Sequence, residues 1–216
     1  MSKKMFFVSN GRCGTKSIQK LLNEKLGSDF IVVHQVRGSR IANVVGNLMY
    51  SLGECELAKK GMFNKIFDNY FNQDDKFFIS SDPLTAMIIP QKYVKSDKVA
   101  IVQIVRDSES FADSFLNIIK KRPTSFIAHT LIPFWQIGIF PLENLFSSNI
   151  RKKYISLNKL KNKWFAQQYS RNDNYVTVAF EDLFKEDNLA KVVNYFFGTE
   201  IKLSPKELAI KSNASK

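Results

Sequence analysis

The feature that most constrains the fold is the pattern of residues 5–26, which reads MFFVSNGRCGTKSIQKLLNEKL. An apolar run at its start predicts a short strand, and apolar residues spaced three and four apart at its end predict the buried face of a helix. Between them lies a polar loop with two glycines, Gly11 and Gly14, which let a backbone turn tightly and approach a ligand. The first turn of a helix offers free N–H groups and a positive dipole end to an anion. The pattern therefore predicts an anion-binding loop between a strand and a helix.

The side chains of this loop suit a phosphate or sulfate group. Cationic and hydroxyl side chains follow the first glycine. Such side chains donate hydrogen bonds to the oxygens of phosphate and sulfate groups. The one cysteine in the loop is small enough to fill a tight turn, which we favour over a role as a nucleophile. We assign the whole loop to anion binding, namely Gly11, Arg12, Cys13, Gly14, Thr15, Lys16 and Ser17.

Two other interpretations of the loop conflict with the sequence. A Walker A motif with Lys16 and Ser17 as its Lys-Ser pair would require glycines where Asn10 and Thr15 stand. A hairpin turn at Asn10-Gly11 would require alternating apolar residues after it, whereas the periodicity that follows is helical. The anion-binding loop is therefore the favoured interpretation.

Strand-like and helix-like segments alternate along the whole chain. Strand-length apolar runs follow the first strand at 30–33, 77–80, 99–105 and 175–179. Segments with helical periodicity lie at 41–52, 57–71, 84–94, 110–119, 151–169 and 188–197. Such alternation predicts an α/β fold, a P-loop-like three-layer α/β/α arrangement with a central, mainly parallel five-stranded sheet. We expect a single domain over residues 1–200 and a polar C-terminal tail over residues 201–216.

Polar side chains follow the predicted strands directly, where ligands bind in parallel sheets. His34 comes after the second run, and Arg106 comes after the almost continuously apolar run at 99–105. Ser114 lies about two helical turns beyond Arg106, so the two side chains could hold one phosphate together. The alternative is that Arg106 forms a structural ion pair, for example with Asp107, and that Ser114 is an ordinary hydroxyl on a helix.

The chain carries a formal net charge of +12, which favours anionic partners. Six basic residues and no acid lie within residues 151–163. The alternative for this segment is a solvated helix face, because an apolar stripe runs along the same helix. The residues expected to point inward are Ile150, Tyr154, Leu157, Leu160 and Trp164.

Other classes of protein have little support in the sequence. The two cysteines, Cys13 and Cys55, have neither a disulfide framework nor a zinc spacing, which indicates a reducing compartment. No apolar run approaches the length of about 20 residues that a membrane span needs. We therefore expect a cytoplasmic protein with no membrane span and no metal site.

Two motifs together resemble a known family. The loop GRCGTKS, followed far downstream by IVRDSESFADS, is similar to the sulfotransferases that use 3′-phosphoadenosine 5′-phosphosulfate (PAPS). The resemblance extends over residues 5–197, through VVHQVRGSR, FFISSDPL, LIPFW and VAFEDLF. It is greatest to a bacterial group that opens with an S-N-G-R-x-G-T-K loop.

The resemblance implies a role for each matching residue. The first loop would hold the 5′-phosphosulfate of PAPS, with Arg12 in the place of the catalytic Lys or Arg, and Arg106 with Ser114 would hold the 3′-phosphate. The sequence departs from the family at three points. Lys16 stands where many relatives have a second Thr, Ser108 replaces a Pro, and no glycine-rich basic loop follows residue 198.

The implied reaction is in-line transfer of a sulfuryl group to a hydroxyl or amine, without a metal. His34 is the best candidate for the base that takes the proton of the acceptor, because imidazole titrates near neutral pH. In the resembling group a Glu follows this His, and here Gln35 occupies that position, which cannot take a proton. The alternative role for His34 is to hydrogen-bond a neighbouring loop or orient the substrate.

Two further functions stay open at this point. One is a P-loop small-molecule kinase or other nucleotide phosphotransferase, favoured by the Lys16-Ser17 pair. The other is a non-catalytic basic module that binds anions, although we regard nucleic acid as an unlikely partner. For a sulfotransferase we expect a small-molecule or glycan acceptor, bound by the aromatic-rich segments 37–71 and 123–149. The sequence gives no indication of the oligomeric state.

Overall fold

The computed structural model describes residues 2–35, 38–41, 43–44, 75–86, 89, 91–121, 124 and 149–209. Several sequence-based predictions therefore lie wholly or mostly outside the described residues. They are the helical segments 41–52 and 57–71, the LIPFW motif, Cys55 and the two segments assigned to the acceptor pocket.

Five parallel strands form the central sheet, and all five were predicted from the apolar runs. They are β1 (Lys4–Val8), β2 (Phe30–Val33), β3 (Phe77–Ser80), β4 (Val99–Val105) and β5 (Tyr175–Ala179). Their order across the sheet is β2-β3-β1-β4-β5. Each neighbouring pair is parallel, so the expectation of a mainly parallel sheet is confirmed and exceeded. The parallel pairing of β1 with both β3 and β4 excludes a hairpin at Asn10-Gly11.

Seven helices have both ends within the described part of the chain, and residues 39–41 and 43–44 are helical as well. The seven are α1 (Thr15–Lys25), α2 (Gln91–Val94), α3 (Ser108–Lys121), α4 (Ile150–Tyr169), α5 (Phe180–Leu183), α6 (Asn188–Phe197) and α7 (Pro205–Ala209). None of them has both the length and the apolar composition that crossing a membrane would require.

Two predicted helices have different bounds in the structure. The segment 84–94 was expected to be helical, and among its described residues the helix is Gln91–Val94. Residues 83–86 form turns, and the backbone N–H of Leu84 donates to Oδ1 of Asp82 at 2.9 Å. The segment 110–119 is part of a longer helix, α3, because Oδ2 of Asp107 accepts from the N–H of Ser110 at 2.8 Å and caps the first turn.

Apolar side chains cover both faces of the sheet. Phe6 and Val8 of β1 point to the face on which α4 places its aromatic residues. Met5 and Phe7 point to the opposite face, where α1 and α6 pack. Alternate residues of one strand thus enter two cores, which is the geometry of a three-layer α/β/α fold.

The buried stripe of α4 differs from the prediction at one position. Leu160 was expected to point inward, but it is 37% exposed, whereas Lys161 is 0% exposed. Lys153 is buried as well, and Arg151 pairs with Glu109 and Asp113 on α3. The basic segment 151–163 is therefore not simply a solvated face, because its cations are divided between the interior and the surface.

Residues 201–209 pack on the domain. Leu203 is buried in the core beside α6. Nζ of Lys25 lies 2.7 Å from Oε1 of Glu207, which joins α7 to α1. The division of the chain at residue 200 stays a prediction.

A buried amide fixes the end of the sheet at which β4 begins. Nδ2 of Asn172 donates to the carbonyl oxygens of Val94 and Val99, at 2.9 and 3.1 Å. We expect Asn172→Ala to lower the free energy of unfolding by about 2 kcal/mol, because buried carbonyl groups lose their donor. Urea denaturation would measure this. The exposed Gln167→Ala on α4 is the control and should change stability by less than about 0.5 kcal/mol. If both variants changed the free energy of unfolding equally, Asn172 would not stabilise the start of β4 through its amide.

Candidate functional site

Parallel pairing brings the carboxyl ends of the strands to one edge of the sheet. The loop at 9–14 follows β1, His34 follows β2, Ser81 follows β3, and Arg106 follows β4. This arrangement is the one that the strand-end residues predicted, and it makes this edge the candidate site.

The loop after β1 has a left-handed backbone at three positions. The φ angles of Gly11, Arg12 and Gly14 are 78°, 55° and 67°. A Cβ atom at Gly14 would lie only 2.9 Å from the ring of Phe184 and 3.1 Å from that of Phe180, so a side chain has no room there. The loop can therefore turn tightly and lead straight into α1.

Helix α1 begins directly at this turn. The carbonyl oxygen of Gly14 accepts from the N–H groups of Ser17 and Ile18, at 2.8 and 2.9 Å. Gly14 is the residue before the helix and has no side chain with which to cap the first turn. The exposed Lys16 lies on that turn. The first turn of a helix carries the positive end of the dipole, and here it also carries a cation, so this end of α1 is suited to attract an anion.

Two guanidinium groups meet beside the loop. Nη1 of Arg106 donates to the carbonyl oxygen of Arg12 at 2.6 Å, and Nε of Arg12 donates to Oγ of Ser114 at 3.1 Å. The Arg106 guanidinium also lies 4.8 Å from the centroid of the Phe180 ring. Partial desolvation by the surrounding loop, and next the charge of Arg106, lower the pKa of Arg12, although its side chain still reaches solvent. An anion between the two groups would relieve this repulsion.

Arg106 and Ser114, which were predicted to act together, each form a hydrogen bond with Arg12. Arg12 lies between them, bonded to both. The alternative of an ion pair between Arg106 and Asp107 finds no support, since Asp107 caps α3. Nε of Arg106 is buried and has no hydrogen-bond partner among the described residues. A buried N–H group without an acceptor is expected where an anionic ligand binds and supplies one.

His34 is held in one orientation by Ser81, the residue after β3. Its Nδ1 lies 2.9 Å from the carbonyl oxygen of Ser81. A carbonyl oxygen can only accept, so Nδ1 carries the proton and the neutral ring has its lone pair on Nε2. Oγ of Ser81 in turn donates to the carbonyl oxygen of Thr15 at 2.9 Å, which connects the histidine to the start of α1. Ser81 directly follows β3, as polar residues at strand ends were expected to do, but sequence reasoning did not predict its contact with His34.

An asparagine network lies beneath the loop. Nδ2 of Asn10 donates to Asn158, both to its backbone oxygen at 3.1 Å and to its Oδ1, and to Oδ1 of Asn162 at 3.0 Å. Nδ2 of Asn158 donates to the carbonyl oxygen of Arg106 at 2.9 Å and to Oγ of Ser108 at 3.0 Å. Sequence reasoning missed this network, because nothing in the spacing indicates that α4 lies against the loop.

Cys13 and Lys161 are both buried near this edge of the sheet. The thiol of Cys13 donates to the carbonyl oxygen of Gly11 at 3.2 Å, and burial raises its pKa to about 12. A thiol in this state fills the turn and is not a nucleophile near neutral pH. Burial also lowers the pKa of Lys161 to about 7, against smaller opposing effects of Cys13 and Asp82. Nζ of Lys161 has no hydrogen-bond partner among the described residues and lies 5.3 Å from the Phe165 ring centroid.

Comparison with solved structures shows which known proteins share this fold. The chain is similar to the crystal structure of mouse sulfotransferase SULT7A1 complexed with PAP, with a TM-score of 0.53 and 13% identity. It is also similar to the crystal structure of a sulfotransferase from Alicyclobacillus acidocaldarius, with a TM-score of 0.51 and 12% identity. Both comparisons cover 99% of this chain. The chain therefore has a sulfotransferase-like fold.

The extent of each match differs for the two neighbours. The chain covers 64% of the mouse structure, which is less than two thirds of its length, and 91% of the bacterial one. No family model and no curated protein sequence matches the chain. Within the described ranges, no group of three or more His, Cys, Asp or Glu side chains is arranged to hold a metal ion.

The state of Lys161 leads to a prediction about pH. Above pH 7 the unfolded chain keeps a proton on this amine, whose ordinary pKa is about 10.4, while the folded protein releases it. Because the unfolded state binds more protons, folding stability should rise between pH 7 and pH 10, by up to about 1.4 kcal/mol per pH unit. We expect Lys161→Met to remove this rise, as measured by urea denaturation at pH 6, 7, 8 and 9. The exposed Lys159→Met should retain it, and a rise that persists in Lys161→Met would contradict the assignment.

Proposed function

We propose that the protein is a sulfotransferase that moves a sulfuryl group from PAPS to a hydroxyl or amine of an acceptor. The observation that carries the proposal is the convergence of Arg12, Arg106 and Ser114 at a glycine loop that opens onto α1. The sulfotransferase-like fold adds to it, and so does the PAP bound in the mouse structure.

The residues of the site fit a bisphosphate nucleotide at both of its ends. The loop from Gly11 to Ser17 would bind the 5′-phosphosulfate with backbone N–H groups and the side chains of Arg12 and Lys16. Arg106 and Ser114 would bind the 3′-phosphate, for which the buried Nε of Arg106 offers a free donor among the described residues. Two anionic groups on one ligand would be matched by the two arginines, whose segments are joined by the hydrogen bond from Arg106 to the carbonyl oxygen of Arg12.

The chemistry asked of the protein is positioning and stabilisation of charge. As the sulfuryl group leaves, negative charge grows on the oxygen that bridges it to the 5′-phosphate. Arg12 and the first-turn N–H groups of α1 would stabilise that charge. Nε2 of His34 would take the proton of the acceptor, because Nδ1 already donates to Ser81.

The other functions considered have less support. A kinase would rest on Lys16 and Ser17 alone, since the Walker A spacing fails. A basic module for nucleic acid would need an open cationic face on α4. Lys153 and Lys161 are instead buried, and Arg151 is paired with two carboxylates of α3.

Removing Arg106 tests the nucleotide site. We expect Arg106→Ala to weaken binding of 3′-phosphoadenosine 5′-phosphate about 10- to 100-fold, because a charge-assisted contact to the 3′-phosphate is worth about 1.5–3 kcal/mol. Isothermal titration calorimetry measures this, with adenosine 5′-monophosphate and ATP plus Mg²⁺ as comparison ligands. The exposed Arg171→Ala removes the same charge near the opposite end of the sheet and should leave affinity unchanged. A preference for ATP with Mg²⁺, or an Arg106→Ala variant that binds like wild type, would overturn the proposal.

Replacing His34 tests the base. His34→Asn keeps a nitrogen donor near the carbonyl oxygen of Ser81 but has no counterpart of Nε2. We expect turnover of a screened acceptor to fall about 10²- to 10⁴-fold, which is the usual contribution of general-base catalysis. Binding of 3′-phosphoadenosine 5′-phosphate should stay within twofold of wild type. Transfer of radiolabelled sulfuryl groups to the acceptor measures the first quantity, and undiminished transfer would assign His34 a purely orienting role.

A further inference from the structure

Asn158 of α4 touches both segments that the proposed nucleotide site uses. It is 1% exposed and lies in the middle of the helix. Its backbone oxygen and its Oδ1 accept from Asn10, the residue just before Gly11. Its Nδ2 donates to the carbonyl oxygen of Arg106 and to Oγ of Ser108. One side chain thus contacts the start of the glycine loop and the end of β4.

We propose that Asn158 is a positioning residue that sets the distance between the loop after β1 and the Arg106 segment. A ligand with two anionic groups must meet both segments at once, so their separation decides whether both contacts form. The identity of that ligand as a bisphosphate nucleotide rests on the proposed function. The positioning itself rests on the hydrogen bonds of Asn158 alone.

An asparagine side chain meets the requirements of this position. Its amide offers an acceptor to Asn10 and a donor to Arg106 and Ser108 in the same plane. Aspartate keeps the acceptor and loses the donor, and alanine loses both. Either change leaves the carbonyl oxygen of Arg106 without this donor. Alanine also removes one acceptor of Asn10, which keeps only the backbone oxygen of residue 158 and Oδ1 of Asn162. Weaker contacts free both segments to move.

Helix α4 is itself anchored at this edge of the sheet. Nε2 of Gln103 on β4 donates to the backbone oxygen of Asn162 at 3.1 Å, and Oδ1 of Asn162 accepts from Asn10. Gln103 is 2% exposed. Asn158 therefore extends from a helix that is fixed to β4, and it can transmit that fixed position to both loops. Segments that are held in place before binding lose less entropy when the ligand arrives.

Hydrogen exchange on the ligand-free protein tests the positioning directly. We expect Asn158→Ala to speed exchange at least tenfold in both segments, residues 10–15 and 106–110. Asn158→Asp should speed exchange in 106–110 only, because its carboxylate still accepts from Asn10. The matched control is Asn172→Ala, another buried asparagine that donates to carbonyl groups at the opposite end of β4. It should lower stability without a selective change in these segments.

Calorimetry tests the consequence for binding. Asn158→Ala should weaken binding of 3′-phosphoadenosine 5′-phosphate at least tenfold more than binding of adenosine 5′-monophosphate, since only the first ligand needs both segments together. Asn172→Ala should leave the ratio of the two affinities unchanged. An equal loss for both ligands would mean a merely structural role and would overturn the inference.

The outcomes separate this inference from the proposed function. If wild type binds the bisphosphate and Asn158→Ala keeps its preference over the monophosphate, Asn158 is not a positioning residue and the sulfotransferase proposal stands. If wild type binds neither nucleotide, the proposed function fails, and the exchange experiment still decides whether Asn158 holds the two segments. Should Asn158→Ala fail to fold, the effect of Asn158→Asp on residues 106–110 alone gives the same decision.

Discussion

The parallel pairing of β2, β3, β1 and β4 determines where the candidate side chains at the strand ends lie. Parallel strands all end at the same edge, so the polar residues that follow them must meet there. The glycine loop, His34, Ser81 and Arg106 come from four different strands and reach one edge without any further constraint. The apolar side chains of β1 alternate between the two cores and hold the strand in that position. The position of the strand-end residues is thus a consequence of how the strands pack between the two cores.

The positive charges of Arg12 and Arg106 lie close enough to repel each other. Contacts with neighbouring groups offset part of this repulsion. Arg106 lies over the Phe180 ring, where a cation is attracted to the aromatic face. Its Nη1 donates to the carbonyl oxygen of Arg12, and the Arg12 side chain donates to Ser114. The partners in these contacts are neutral groups, and none of them is a carboxylate. The contacts therefore do not neutralise either positive charge. Such an arrangement is stabilised further by an anion, which is what a binding site for two anionic groups requires.

The sequence was sufficient for the parts of the structure that depend on local patterns. Apolar runs located all five strands, and glycines with a following helical period located the loop before α1. It was insufficient where tertiary contacts decide. Leu160 and Lys161 are neighbours on α4, and periodicity favoured the leucine for the interior, yet the structure buries the lysine. The contact between Asn10 and Asn158 was missed as well, because single polar residues carry no periodic signal and gain their role only from elements distant in the chain.

The histidine of the site shows how a missing carboxylate can be compatible with the same chemistry. A glutamate next to the histidine would supply a base of its own, and Gln35 cannot. Gln35 has a φ of 57° and is exposed, so the backbone bends at the residue directly after His34. The carbonyl oxygen of Ser81 fixes the ring by accepting from Nδ1, and a neutral oxygen determines the tautomer as well as a charged one does. In the proposed reaction the lone pair on Nε2 would then take the proton of the acceptor. Ser81 also bonds to Thr15, so the orientation of His34 and the start of α1 are set by the same residue.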